Sequence, residues 1–506
     1  MASLDYAHRR LVNTLGPERV ARGELERMVY SHDFAALPKL VLAQWRLYPD
    51  FVVLPQTTEE VSQVVRLSDE TGLPITPRGG GTGMFGASVP NRGGVLIDLR
   101  KMSKVIAFDA ENRTATVEAG ATWAAVEGYL RSKGFALPVV PAAAPASTVG
   151  GAINGGGVGY GSFRHGPLRA HVLDLEVVLP DGSVMRTGDA RESGGAFADL
   201  TAAFFGAEGT LGIVTKAVLR IRPKPEESKA AAYAFPDLAS GAAFLTRIVE
   251  TGETPFHVAL IDREHLTFER AVRAETPDPA DIAIVTFEGT KDEIPLQEKA
   301  IDALAAAGNG TKLASEVAAD LWARRHIRYG ARRLSRGLVV SSNLVPVARL
   351  GEAIARTQAL IRRHKVNAAI QVALVDSTTA ALSPYALMDD TTLSGGTTLG
   401  FVKKMGDLAI EIGGHPIGLG LLMVFNLRKM HGRATGSMGA VKQVFDPGRK
   451  VNAGKTIEVW TKFNWPLINV IPPPFMEFGL NVAAALRRAK PFRDRFLKAY
   501  ERQGGA

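Results

Sequence analysis

The chain has 506 residues, 46% of them hydrophobic and 22% charged, an ordinary balance for a soluble globular protein and enough for two or three domains. It contains no cysteine, which excludes disulfides, thiolate metal sites and iron–sulfur clusters. The formal net charge is +9, but no nucleic-acid motif accompanies it, so the basicity reads as a local contact surface.

The first 20 residues scatter Asp5, Arg9, Arg10, Glu18 and Arg19 among apolar positions and form no signal peptide. Residues 7–45 read as helical, ending near Tyr48-Pro49-Asp50. Phe51 to Pro55 has a buried-strand pattern, and Thr57 or Thr58 caps an amphipathic helix carrying Val61, Val64, Val65 and Leu67. Pro74 to Pro77 reads as a strand entering a glycine-rich loop. Val95 to Leu99 and Thr114 to Gly120 are further strands, and Trp123 to Lys133 is a helix closed by Gly134. After a second glycine cluster at 150–161, Val172 to Leu179 and the turn Pro180-Asp181-Gly182-Ser183 predict a hairpin. Ile213 to Arg220 is a strand stopped by Arg222-Pro223-Lys224-Pro225, the first domain boundary. Residues 226–435 alternate helical and strand-like patterns, and a turn at Phe445-Asp446-Pro447-Gly448 leads to a short return strand ending at Lys455. The longest apolar run, Ile412 to Phe425, is broken by glycines, His415 and Pro416 and is too short to span a bilayer.

The loop Pro77-Arg78-Gly79-Gly80-Gly81-Thr82-Gly83 strips away side chains so that main-chain N–H groups can close on a large anion, above all a pyrophosphate. Gly81-Thr82-Gly83-Met84-Phe85-Gly86 fits the dinucleotide fingerprint G-x-G-x-x-G. That motif requires a helix directly after it, however, and Ala87 to Gly94 is hostile to helix. Gly448 to Thr456 has the wrong spacing for a P-loop.

The first loop resembles the pyrophosphate loop of the vanillyl-alcohol-oxidase (PCMH-type) FAD-binding fold. Ser147-Thr148-Val149-Gly150-Gly151-Ala152-Ile153-Asn154 is similar to its second flavin-contacting segment. Gly206 to Thr215, with Glu208, Gly209, Gly212, Ile213 and Val214, matches a third. Asp446-Pro447, Asn452 and Gly454-Lys455 resemble the family's closing motif. The four motifs occur in order over about 45–460, nearest in pattern to the glycolate-oxidase-subunit and D-lactate-dehydrogenase-like branch. The resemblance implies an α+β chain with a two-subdomain FAD-binding domain at 1–225 (core about 45–225) and a substrate or cap domain at 226–435. A return segment at 436–460 and a basic aromatic extension at 461–506 complete it. The implied FAD contacts are these motif residues together with Pro141, Gly157 and Gly161. Relatives with histidyl-linked FAD carry His where this chain has Gly81, which, with the lack of cysteine, implies non-covalent FAD.

In the resembled family a hydride leaves the substrate α-carbon for flavin N5, a base takes the hydroxyl proton and an arginine holds the carboxylate. Trp322-Ala323-Arg324-Arg325-His326 resembles the family's Trp-x-x-Arg element and points to Arg325; a solvated basic helix face is the alternative. The family's metal-binding stretches appear here as Ala369 to Ser377, without histidine, and as Gly413-Gly414-His415-Pro416, with Gly414 in place of the glutamate. No metal is therefore expected, and His415 is either the base or a satisfied core histidine. Asn343, Tyr385 and Lys403 are weaker polar candidates, read as structural.

These readings predict an FAD-dependent dehydrogenase acting on a small hydroxylated substrate, in the first place a 2-hydroxy acid, and passing electrons to a quinone, an iron–sulfur subunit or an electron-transfer flavoprotein. An oxygen-using sugar or alcohol oxidase, or an electron-relay subunit, stays open. The expected location is cytoplasmic, or peripheral on the inner face of the membrane. Trp460, Phe463, Trp465, Phe475 and Phe478, followed by Arg493, Arg495 and Lys498, suit an interfacial tail, a docking tail or one packed on its own domain.

Overall fold

Strands begin where runs of β-branched residues are bounded by glycine or proline, and each sheet forms where such runs pair. In the computed structural model, which describes residues 4–37, 45–188, 199–326, 329–388, 394–421 and 424–457, Phe51–Val53, Val95–Asp98 and Ile75–Arg78 pair in parallel, and Val20–Ala21 adds an antiparallel edge. The parallel crossover is the helix Thr58–Thr71, capped by the Thr57 hydroxyl accepting from the Glu60 N–H and ended by Gly72 in the left-handed region. Val61, Val64 and Val65 pack it onto Phe51, Val53, Val95 and Ile97.

A five-stranded antiparallel sheet follows, ordered Val184–Arg186, Val172–Val178, Ile213–Arg220, Thr114–Glu118, Val105–Asp109. The predicted hairpin is its outer pair. Its core joins Val117, Leu175, Val177, Val214 and Leu219 to Trp123, Val126 and Leu130 of the helix Trp123–Ser132.

Among the described residues, the largest sheet has eight strands, ordered Thr311–Lys312, Glu227–Phe235, Asp281–Gly289, His257–Ile261, Gln371–Leu374, Thr379–Leu382, Asn343–Pro346, His415–Pro416. The period-two alternation of strands divides its side chains between two faces. Val258, Leu260, Val372, Leu374 and Leu382 join a core with Phe244, Leu245, Ile354, Phe401 and Met405, which come from the helices Leu238–Thr251, Leu350–His364 and Ser394–Glu411. The opposite face, carrying His257, Ala259, Gln371, Ala373 and Ala381, looks onto the cavities described below.

Three expectations are corrected. The helix read over 7–45 is instead Leu4–Leu15 and Glu24–Val29 with the strand Val20–Ala21 between them, because Gly16-Pro17 breaks the first helix; positions 38–44 of that reading lie outside the described residues. The return strand is a single parallel bridge between Val451 and Ile75. The strand read over Pro74 to Pro77 runs one residue later, Ile75–Arg78, and the second glycine cluster opens with a short helix, Val149–Gly155. Among the described residues, no helix is long and apolar enough to cross a membrane. The basic aromatic extension lies outside the described residues.

Lys403 and Asp407, one turn apart on the helix Ser394–Glu411, form a buried ion pair at 2.9 Å, and Asn426 and Lys429 also donate to that carboxylate, at 3.2 and 2.7 Å. Removing one partner of a buried pair costs more than the pair contributes, because a charge is left without its counterion. Asp407→Ala should therefore destabilise the chain by about 3–5 kcal/mol, read as a lower urea midpoint of unfolding.

Candidate active site

A cleft of about 250 Å³ is bounded by the loop 77–83, Pro141, residues from Ser147 to Gly157 and the strand entrance 208–214. Of the residues expected to contact the cofactor, it is lined by Pro77, Arg78, Gly79, Gly80, Gly81, Thr82, Gly83, Pro141, Ser147, Thr148, Gly150, Gly151, Asn154, Gly157, Glu208, Gly209, Gly212, Ile213 and Val214. A Cβ on Gly80 would overlap the carbonyl oxygen of Ala146, and one on Gly79 would overlap Thr148 Oγ1. The two motifs thus meet backbone to backbone. Gly155 and Gly157 differ, since nothing lies within 4 Å of a Cβ built on either. Both line the cleft, so a side chain there would occupy open space that a planar ring system can use.

Arg78 supplies the cation of this cleft. Its guanidinium donates to the His32 carbonyl at 2.7 Å and lies 5.4 Å from the centre of the Tyr30 ring. Burial lowers its pKa, against the opposing pull of Asp33 and Asp98. A half-buried guanidinium beside glycine-rich backbone is a donor set suited to a diphosphate, so the residues present fit FAD.

Glu208 holds the pieces together. Its carboxylate accepts from the N–H groups of Leu419 and Gly420 and from the Thr456 hydroxyl, each at 2.7 Å. Burial raises its pKa. Asn452 donates to the carbonyls of Glu208 and Ala87 at 2.6 and 2.9 Å and accepts from the Lys455 ammonium. Burial moves Lys455 down to about 7. Glu208 and Asn452 both have positive φ, 52° and 46°, a strained geometry that the surrounding bonds hold in place. Asn452 and Gly161 lie outside the lining of the cleft; a Cβ on Gly161 would meet Pro138 and Phe256.

Thr82, Gly83, Ala87, Gly155, Gly157 and Glu208 also line a second, larger cavity of about 850 Å³, closed by the face of the eight-stranded sheet that carries Gln371 and Ala373. His326 stands in it, with Nδ1 2.8 Å from the Ala142 carbonyl oxygen and its ring edge-on to Tyr160 at 5.5 Å. A carbonyl only accepts, so this bond places the imidazole proton on Nδ1 and makes Nε2 the basic nitrogen. Arg332 enters the same cavity, donating to the Phe34 carbonyl at 3.1 Å with its guanidinium 4.6 Å from the Phe34 ring centre. Arg333 and Tyr329 complete this wall. Gln371 faces the cavity from the sheet and is held by His265 at 3.1 Å, with Tyr385 2.7 Å from the same ring nitrogen. Burial raises the Tyr385 phenol, which stays protonated.

Two catalytic expectations change. His415 is exposed on the edge strand His415–Pro416, paired with Leu344, and lies outside the cavity lining. Its glycine-rich surroundings turn the chain at the sheet edge instead of enclosing a base. Arg325 stacks on Trp322 at 4.3 Å and lines a separate chamber of about 70 Å³, divided from the main cavity by Tyr160, His257 and Gln371. His326 and Arg332 line the larger cavity, and neither is singled out by the sequence. His326 directly follows Arg325, and its signal was a histidine at the end of the very Trp-x-x-Arg segment quoted for its neighbour. Asn343 bonds Ser341, and Lys403 pairs with Asp407.

The chain matches a family model described as an FAD binding domain over residues 49–188 and a second, the C-terminal domain of FAD linked oxidases, over 224–456. It is 28% identical to the glycolate oxidase subunit GlcD of Bacillus subtilis (strain 168), across 88% of this chain and 95% of that protein. It is 31% identical to a probable mitochondrial D-lactate dehydrogenase of Danio rerio, across 81% and 85%. Among solved structures, p-cresol methylhydroxylase with substrate bound superposes with a TM-score of 0.77 at 19% identity, covering 89% of this chain and 96% of that one, a likeness of fold.

Because Gly80 meets Ala146 backbone to backbone, an added methyl must push the two motifs apart. Overpacking of this kind costs about 1–3 kcal/mol. Gly80→Ala should weaken FAD binding roughly 5- to 100-fold, measured by flavin release into ultrafiltrate.

Proposed function

The chain belongs to the FAD-linked oxidases, and on that premise we propose that it dehydrogenates a 2-hydroxy acid to the 2-oxo acid and passes the electrons to a quinone or protein acceptor. Bound non-covalently in the glycine-lined cleft, FAD supplies the two-electron hydride acceptor. His326 takes the hydroxyl proton at Nε2 while Nδ1–H keeps donating to the Ala142 carbonyl, so the ring cannot rotate without losing that bond. Tyr160, edge-on to both His326 and His257, keeps the ring planes fixed. Arg332 offers the substrate carboxylate a guanidinium already braced on Phe34. The observation that carries the reading is the tautomer set at His326 inside a cavity that shares its glycine wall with the cleft. The relatives named for glycolate and D-lactate supply the substrate class.

Under anaerobic conditions, D-lactate, glycolate or D-2-hydroxyglutarate should bleach the flavin; a spectrum unchanged by every hydroxy acid removes the reading. His326→Ala should slow that reduction by roughly 10²–10⁴-fold, followed by stopped flow. Arg332→Ala should raise the half-saturating acid concentration roughly 10- to 100-fold, the range for a lost hydrogen bond to a charged group. Peroxide formed in air at the rate of flavin reduction would identify oxygen, instead of a quinone or protein, as the acceptor.

A further inference from the structure

Resting on the 2-hydroxy-acid reading, we infer that the substrate carries an apolar tail of several carbons, received by a floor of alanines on the eight-stranded sheet. Ala373 pairs directly with Ala259 on one neighbouring strand and with Ala381 on the other. Residues directly opposite one another in antiparallel strands share a face, so the three alanines stand in a row. Ala373 and Ala381 line the main cavity, and Ala259 lines the chamber beside it. Phe34, Met84, Phe85 and Ile417 form apolar wall around the same space. His326 and Arg332 stand on a wall apart from the sheet, while Gln371 and Ser383, two residues along from Ala373 and Ala381, bound the floor with polar groups.

Volume points the same way. A three-carbon hydroxy acid needs about 180 Å³ at roughly 30 Å³ per heavy atom. The cavity holds about 850 Å³; at the same figure the roughly 18 heavy atoms of a flavin ring system take about 540 Å³, so an acid this short leaves about 130 Å³ over the alanines, room for about four more carbons. Apolar surface of this kind binds in proportion to the hydrocarbon that covers it. The cavity therefore fits an amphiphile, with its carboxylate at the arginine wall and its hydrocarbon on the sheet.

Two measurements on the FAD-loaded protein test this. Straight-chain carboxylates without a hydroxyl (acetate, butyrate, hexanoate, octanoate), titrated by perturbation of the flavin spectrum, should bind about three- to fourfold more tightly per added methylene. The values of kcat/KM for the 2-hydroxy acids of the same lengths should climb in parallel. Ala373→Phe should flatten both slopes, lowering the octanoate-to-butyrate affinity ratio about tenfold or more. Ala381→Val, a smaller intrusion, should flatten them part-way, and retained flavin shows that each variant has folded. Affinities that do not change with length, or a Phe variant that weakens all lengths equally, overturn the inference. Slopes that hold for carboxylate binding while no hydroxy acid bleaches the flavin sustain the tail site and dismiss the reaction.

Discussion

The carboxylate of Glu208 holds together segments that are far apart in the chain. It accepts bonds from Leu419 and Gly420, which follow the edge strand of the large sheet, and from Thr456, near the end of the described chain. Its own residue begins the strand entrance that lines the cleft. A buried carboxylate cannot be left bare, since its desolvation outweighs any single contact. Three donors must therefore converge on it whenever the chain folds, and that requirement fixes the cap against the glycine loops. The larger cavity exists because two layers are held at this spacing.

Around that latch, chemistry is divided between backbone and side chain. The cleft is built from main chain: glycines where motifs meet, glycines where a ring system fits, and one half-buried arginine. The cavity is built from side chains on a rigid sheet and on the segment that follows the helix Ser315–Ala323. A fold organised this way can keep its cofactor site while the sheet face changes residue by residue.

Much of the cleft was legible in the sequence because glycine is a positional signal. At Gly79 and Gly80 no other residue fits the close approach, and the order of motifs specifies which backbones meet. The helix cap at Thr57, the hairpin turning at Pro180–Ser183 and the strand Ile213–Arg220 were legible for similar local reasons. The cavity was not. His415 and His326 both sit in segments of uncommon composition, and nothing in either segment says which one lies against a cavity. That is decided by strand order: His415 belongs to the outermost strand, whereas His326 follows a helix that packs over the sheet. The helix misread over 7–45 has a simpler cause, an apolar periodicity extended through Gly16-Pro17.

The latch also has a consequence for biosynthesis. The lining of the cleft is complete in sequence by Val214, yet the donor from Thr456 emerges some 240 residues later. At about 5–20 residues per second, a ribosome needs roughly 10–50 s to make that stretch. Until Leu419 and Gly420 emerge, the nascent N-terminal half carries an acidic group without its folded-state donors and an open wall, a natural client for a chaperone. The last of the three donors arrives with the segment that threads back across Ile75.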